Sequence, residues 1–132
     1  MSNLRNNWTL DEVLDLFNKP FNELLFKAHD IHIKNHKKDM VQVCTLLSIK
    51  TGGCPEDCGY CSQSIHSKNP IEAKPMMSLE EVKKQAKFAK DQGSTRFCMG
   101  AAWRRPSNKN IDRVIEMIEV VHELGMESCV TL

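Results

Sequence analysis

From Val41 onward the chain alternates β-branched runs with amphipathic helical stretches, and this order constrains its fold more than any other feature. Val41 to Ile49 is mostly apolar, which predicts a strand buried on both faces. Ser78-Leu79-Glu80-Glu81 is a capping box that opens a helix running to Asp91 and ending at Gly93. Arg96 to Met99 reads as a second strand. Ile111, Val114, Ile115, Ile118 and Val121 recur at helical spacing and predict a helix that ends at Gly125. Glu127 to Leu132 reads as a third strand. Strand, helix, strand, helix, strand implies an α/β fold with parallel strands joined by right-handed crossovers.

Residues 1–40 read as a separate helical segment ahead of this pattern. Thr9-Leu10-Asp11-Glu12 is a second capping box, opening a short helix that stops before Pro20. A further helix is expected from Phe21 to about Asn35, with Leu24, Leu25, Ala28 and Ile31 or Ile33 on its buried side. His29, His32 and His36 share one helical face, but the segment is polar and reads as solvated rather than metal-binding. Met40, Met76, Met77, Met99, Met117 and Met126 are expected to fill a core.

A chain of 132 residues supports one modest core. Its net charge of +1 gives no electrostatic case for nucleic acid or a membrane surface as partner. No apolar run approaches the roughly 18 residues needed to cross a bilayer. The first residues carry neither a signal-peptide core nor a transit-peptide composition, so the protein is expected in the cytoplasm. In that reducing compartment six cysteines point to metal binding or catalysis rather than to disulfides.

Three of the six stand in Cys54-Pro55-Glu56-Asp57-Cys58-Gly59-Tyr60-Cys61, between the first strand and the first of its helices. Three thiolates on one short loop can hold three irons of a cubane cluster and leave the fourth open to a ligand. A structural zinc site wants four ligands, and no fourth follows at the usual spacing, although a distant one would complete a zinc knuckle. Loops this long without secondary structure are functional or disordered, and the cysteines argue for function. In a parallel β/α architecture, reactive groups gather at the C-terminal ends of strands, where this loop lies. Cys98 and Cys129 fall in the second and third strands, at similar depth if the strands are in register; by residue type alone each reads as a small hydrophobe. Cys44, in the first strand, reads as core packing. Tyr60 reads equally as a loop anchor, and Gly100-Ala101-Ala102-Trp103 as a tight strand exit whose small residues permit close approach of a ligand.

The spacing C-x3-C-x-aromatic-C resembles the signature of the radical S-adenosylmethionine enzymes. With Leu46-Leu47-Ser48-Ile49-Lys50-Thr51-Gly52-Gly53 before it and Gly93-Ser94-Thr95-Arg96-Phe97-Cys98-Met99-Gly100-Ala101-Ala102-Trp103 after it, the chain resembles the biotin synthase family from about Val41 to Leu132. The resemblance implies that residues 41–132 are the first part of a (β/α)8 barrel of TIM type, with about three of its strands. It implies a [4Fe-4S] cluster on Cys54, Cys58 and Cys61 that cleaves S-adenosylmethionine to a deoxyadenosyl radical. It also implies a [2Fe-2S] cluster on Cys98 and Cys129, completed by a cysteine and an arginine from later strands, as the source of the sulfur inserted into dethiobiotin. Tyr60 is then expected against the adenine of the cofactor and Ala101 near its methionine end. A flavodoxin-like electron donor and a homodimer follow by analogy, and Cys44 lies outside the family's ligand positions.

Three strands do not close a barrel, so the sequence reads as the N-terminal part of a longer protein, poorly folded and inactive by itself. Two rival readings remain. One is another radical enzyme of related architecture, such as a hydrogenase maturase or methylornithine synthase, which shares the cubane loop without needing Cys98 and Cys129. The other is a non-catalytic metal-binding protein with a fully ligated metal.

Overall fold

A computed structural model describes residues 5–37 and 40–132 and divides into two compact units, Met1–Val41 and Gln42–Leu132. The first unit holds helices α1 (Leu10–Phe17) and α2 (Phe21–Asn35). The Thr9 hydroxyl accepts from the Glu12 amide while Glu12 reaches back to the Thr9 backbone, so the expected capping box is present. Pro20 precedes α2 and fixes the backbone at its start. Neither helix buries a residue. Leu24, Leu25, Ile31 and Ile33, expected on a buried side, are exposed, as are Ala28 and Met40. Two helices of 8 and 15 residues enclose too little apolar surface to form a core within their own unit. The three histidines of α2 and its cap are solvated as expected, with His32 and His36 stacked 5.0 Å apart.

The second unit is a three-stranded parallel sheet in the order β1 (Cys44–Lys50), β2 (Arg96–Ala101), β3 (Glu127–Thr131), with α3 (Leu79–Asp91) and α4 (Asn108–Glu123) in the crossovers. Ser78 and Glu81 cap α3 reciprocally, and Ser107 caps α4. The core lies between sheet and helices. Ile49, Phe97 and Met99 point from the strands toward Val82 and Ala86 of α3 and Val114, Met117 and Val121 of α4. Met126 joins this core, and Met76 and Met77 pack at its edge.

The apolar stripe of α4 is buried only in part, and the expectation for β1 is corrected. Ile111 and Ile115 are exposed, while Met117 and Val120 are buried. The apolar surface of α4 is wider than one stripe, and packing against the sheet selects Val114, Met117 and Val121 from it. Strand β1 is not buried on both faces: Ile49 is fully buried, whereas Leu46 is 75% exposed. It also begins at Cys44 rather than Val41, although the Val43 carbonyl still accepts from the Thr95 amide at 2.9 Å. Helices α3 and α4 cover one face of the sheet, while Cys44, Leu46 and Cys129 on the other are exposed.

Candidate metal centre

Residues 51–78 join the C-terminal end of β1 to α3 and include the first cysteine group. The loop is tied by its own backbone. The Cys54 amide donates to Gln63 O at 3.0 Å and the Ile65 amide to Cys54 O at 2.9 Å, which sets Cys54 beside Ser64 in a short parallel bridge. The Cys61 amide closes a turn on Cys58 O at 2.9 Å. Ser64 is buried and its hydroxyl donates to Glu56 O, drawing the Pro55–Asp57 arch inward. Gly52 (φ +67°) and Gly53 (φ +65°) make the bend that leads into the loop. A Cβ on Gly52 would lie 2.8 Å from the carbonyl oxygens of both Ile71 and Glu72, so the bend requires glycine for space as well as for its backbone angle.

Several residues that hold this loop are invisible to motif reading. The Lys50 ammonium donates to Gly52 O and, at 2.9 Å, to Ala102 O, joining the exits of β1 and β2. Gln63 Oε1 accepts from the Gly52 amide at 2.9 Å. Arg104 pairs with Glu56 at 3.0 Å and links the β2–α4 loop to the cysteine loop. The only sequence signal for any of them is a lysine at the end of an apolar strand.

Cys58 is exposed, and Cys54 and Cys61 are half-buried. Tyr60, between them, is 95% exposed and lines with Asp57, Cys58 and Cys61 an open cavity of about 500 Å³. Among the described residues no three Cys, His, Asp or Glu side chains are gathered into a metal cage. Thiols without a metal have no attraction that would converge them, so the fit rests on the donors: three thiols on one backbone-fixed loop, all within reach of solvent. That set suits iron–sulfur ligation.

The second group lies on the open face of the sheet. Cys98 and Cys129 are register partners on β2 and β3. Cys44, expected in the core, is instead exposed on this same face, with its Sγ 3.2 Å from that of Cys98. Alternation along β1 turns Cys44, Leu46 and Ser48 away from α3 and α4, and all three are exposed. The Cys44 thiol, partial burial and the Cys129 thiol, in that order, push the Cys98 thiol up to about 12, so without metal it stays neutral. Arg96, in register with both Cys44 and Glu127, binds the Glu127 carboxylate at 2.6 Å, and this pairing raises its own already high pKa. Leu46, Ser48, Gln63, Gly100 and Ala101 border a cavity of about 400 Å³ at the C-terminal end of this face.

Residues 48–132 match the family described as the Radical SAM superfamily. The chain belongs to the radical SAM superfamily. S-adenosylmethionine and an iron–sulfur cluster are therefore its family's cofactors. Curated biotin synthases are similar over the whole of the chain. That of Thioalkalivibrio sulfidiphilus is 54% identical over 132 residues, all of this chain and 39% of that protein. That of Vesicomyosocius okutanii is 57% identical, again over all of this chain and 41% of that protein. The Erythrobacter litoralis protein is 51% identical over all of this chain and 39% of its own length. This radical SAM chain thus spans about two fifths of the length of these relatives. No helix among its described residues is long and apolar enough to cross a membrane.

Proposed function

We propose that this chain contributes the cluster-binding part of a biotin synthase, a sulfurtransferase that converts dethiobiotin to biotin. The observation that carries the reading is the pairing of two cysteine groups. One is a C-x3-C-x2-C loop at the exit of β1, and the other is a register pair, Cys98 and Cys129, on the sheet face beside it. Residues 1–40 are then a helical lead-in, and residues 41–132 the first part of a (β/α)8 barrel.

Cys54, Cys58 and Cys61 would hold a [4Fe-4S] cluster, and Cys98 and Cys129 two corners of a [2Fe-2S] cluster. Bound there, the clusters supply the electron for cleaving S-adenosylmethionine and the sulfur for the product. The chain's own residues position these groups. Lys50 fixes the β1 and β2 exits to each other, which keeps the cysteine loop over the strand ends. Gly52 and Gln63 set the angle at which the loop leaves β1. Tyr60 presents an open aromatic face for the adenine of S-adenosylmethionine, and Ala101, at the rim of the open-face cavity, leaves space for its methionine end. Dethiobiotin is the small-molecule substrate, a flavodoxin-like protein the electron donor, a homodimer the assembly and the cytoplasm the compartment. Neither nucleic acid nor membrane is a partner.

The test is anaerobic assay of the protein expressed from its complete reading frame, reconstituted with iron and sulfide and supplied with reductant, S-adenosylmethionine and dethiobiotin. Biotin and 5′-deoxyadenosine are both expected. Cys58→Ala should abolish both products, whereas Cys98→Ser and Cys129→Ser should abolish biotin and keep deoxyadenosine formation. Deoxyadenosine without biotin in the unmodified protein would favour a maturase-like or methylornithine synthase-like enzyme. Absence of both, with a fully ligated metal present, would favour a non-catalytic metal site.

A further inference from the structure

We infer that Ser64 is a positioning residue for the metal on the cysteine loop, its buried hydroxyl fixing the backbone that carries Cys54, Cys58 and Cys61. This rests on the reading that those three thiols hold an iron–sulfur cluster. It goes beyond that reading by assigning a residue that is neither a ligand nor part of the C-x3-C-x2-C motif. Between residues 51 and 75 only Gly52 and Ser64 are buried, so Ser64 provides the one buried side chain of the loop. A buried hydroxyl is costly unless it is hydrogen-bonded. Serine can both donate and accept, and here it does both. Its Oγ donates to Glu56 O and accepts from the His66 amide at 3.0 Å. Further packing on the loop can only deepen such burial.

The contacts of Ser64 reach all three cysteines. It sits opposite Cys54 in the short parallel bridge. Its amide donates to Cys61 O at 3.2 Å, and the Cys61 amide in turn donates to Cys58 O at 2.9 Å. Its hydroxyl holds the Glu56 carbonyl, at the middle of the arch that runs from Cys54 to Cys58. The amide contacts survive a change of side chain, whereas alanine removes both hydroxyl bonds at once. The arch is then free to move relative to Cys61, and the three thiols lose their common frame. Groups that orient metal ligands without touching the metal are worth about ten- to a hundredfold in metal affinity. Ser94 supplies the comparison. It is the other buried polar residue among those described, and its hydroxyl bonds that of Thr45 at 2.6 Å, at the opposite end of the strands from the loop.

The test uses the complete chain carrying Cys98→Ser and Cys129→Ser, reconstituted anaerobically with iron and sulfide, so that only the loop contributes a cluster. The readout is the rate at which an iron chelator bleaches the cluster's visible absorbance. Ser64→Ala should speed the loss about tenfold or more. Ser94→Ala should keep the parent rate while lowering the midpoint of urea unfolding. Ser64→Thr and Ser64→Val share a shape and differ in the hydroxyl, so the threonine variant should hold its cluster about tenfold longer than the valine variant. Equal rates for that pair, or a parent rate in Ser64→Ala, would overturn the assignment and leave the cluster reading standing. Loss as fast in Ser94→Ala as in Ser64→Ala would also overturn it, since the hydroxyl would then act through general stability. If the background forms no cluster, or Cys58→Ala leaves its absorbance unchanged, the cluster reading itself fails and the assignment with it.

Discussion

The two faces of the sheet are made from the same three strands and have opposite fates. On one, Ile49, Phe97 and Met99 are sealed beneath α3 and α4. On the other, one residue along, Leu46 and Cys44 are exposed and Cys98 is half-buried. Because strand side chains alternate, Phe97 and Cys98 are neighbours in sequence and strangers in environment. One face holds the fold together, and the other presents thiols, a cation and a cavity. Stability and chemistry are thus separable by residue parity, and substitutions can test how complete that separation is.

The largest effect is expected from Phe97→Ala, which empties the centre of the helix-covered face. Its loss should cost about 3–5 kcal/mol, while Leu46→Ala should stay within about 0.5 kcal/mol. Urea unfolding of both variants makes the comparison, and a large cost at Leu46 would show that the open face is covered in solution. Gly52→Ala comes next, at about 2–3 kcal/mol, because the methyl group meets two carbonyl oxygens in a left-handed backbone. If its unfolding midpoint matches the parent, the loop that carries the cysteines is not tied to the core as described. Ser78→Ala should cost about 1 kcal/mol by removing the α3 cap on the covered face, read in the same denaturant series.

The smallest effect is one of pH in the helical unit. The Thr9 amide, and after it Arg5, hold the Glu12 carboxyl down at about 2. A carboxyl lowered on folding adds stability that is present above its ordinary pKa of 4.5 and is lost as pH falls through about 2. Carboxyl NMR titration should therefore show Glu12 ionised well below pH 4, with its midpoint moving upward in Arg5→Ala, which removes the guanidinium and leaves the Thr9 amide in place. An ordinary midpoint in the parent would mean that the cap is open in solution.

Much of the architecture was legible in the sequence because it is set locally. Capping boxes at Thr9 and Ser78, glycines at 93 and 125, and Pro20 mark helix ends through contacts a few residues long. The strand–helix alternation implied parallel pairing, and the strands are parallel. What misled was burial. The periodicity of α2 and the apolar run of β1 both point to a core, but such patterns state only which residues are apolar and which share a side. Whether another layer covers that side is decided by packing between distant segments.

The sequence by itself determined the element order, the three-thiol loop and the match to the radical SAM superfamily, since each depends on spacing along the chain. Only the tertiary structure decided that Cys44 faces outward within 3.2 Å of Cys98. It also decided that Lys50 spans two strand exits and that Arg104 reaches Glu56. These meetings join residues about fifty positions apart, and strand register and loop path, which no local pattern encodes, bring them together.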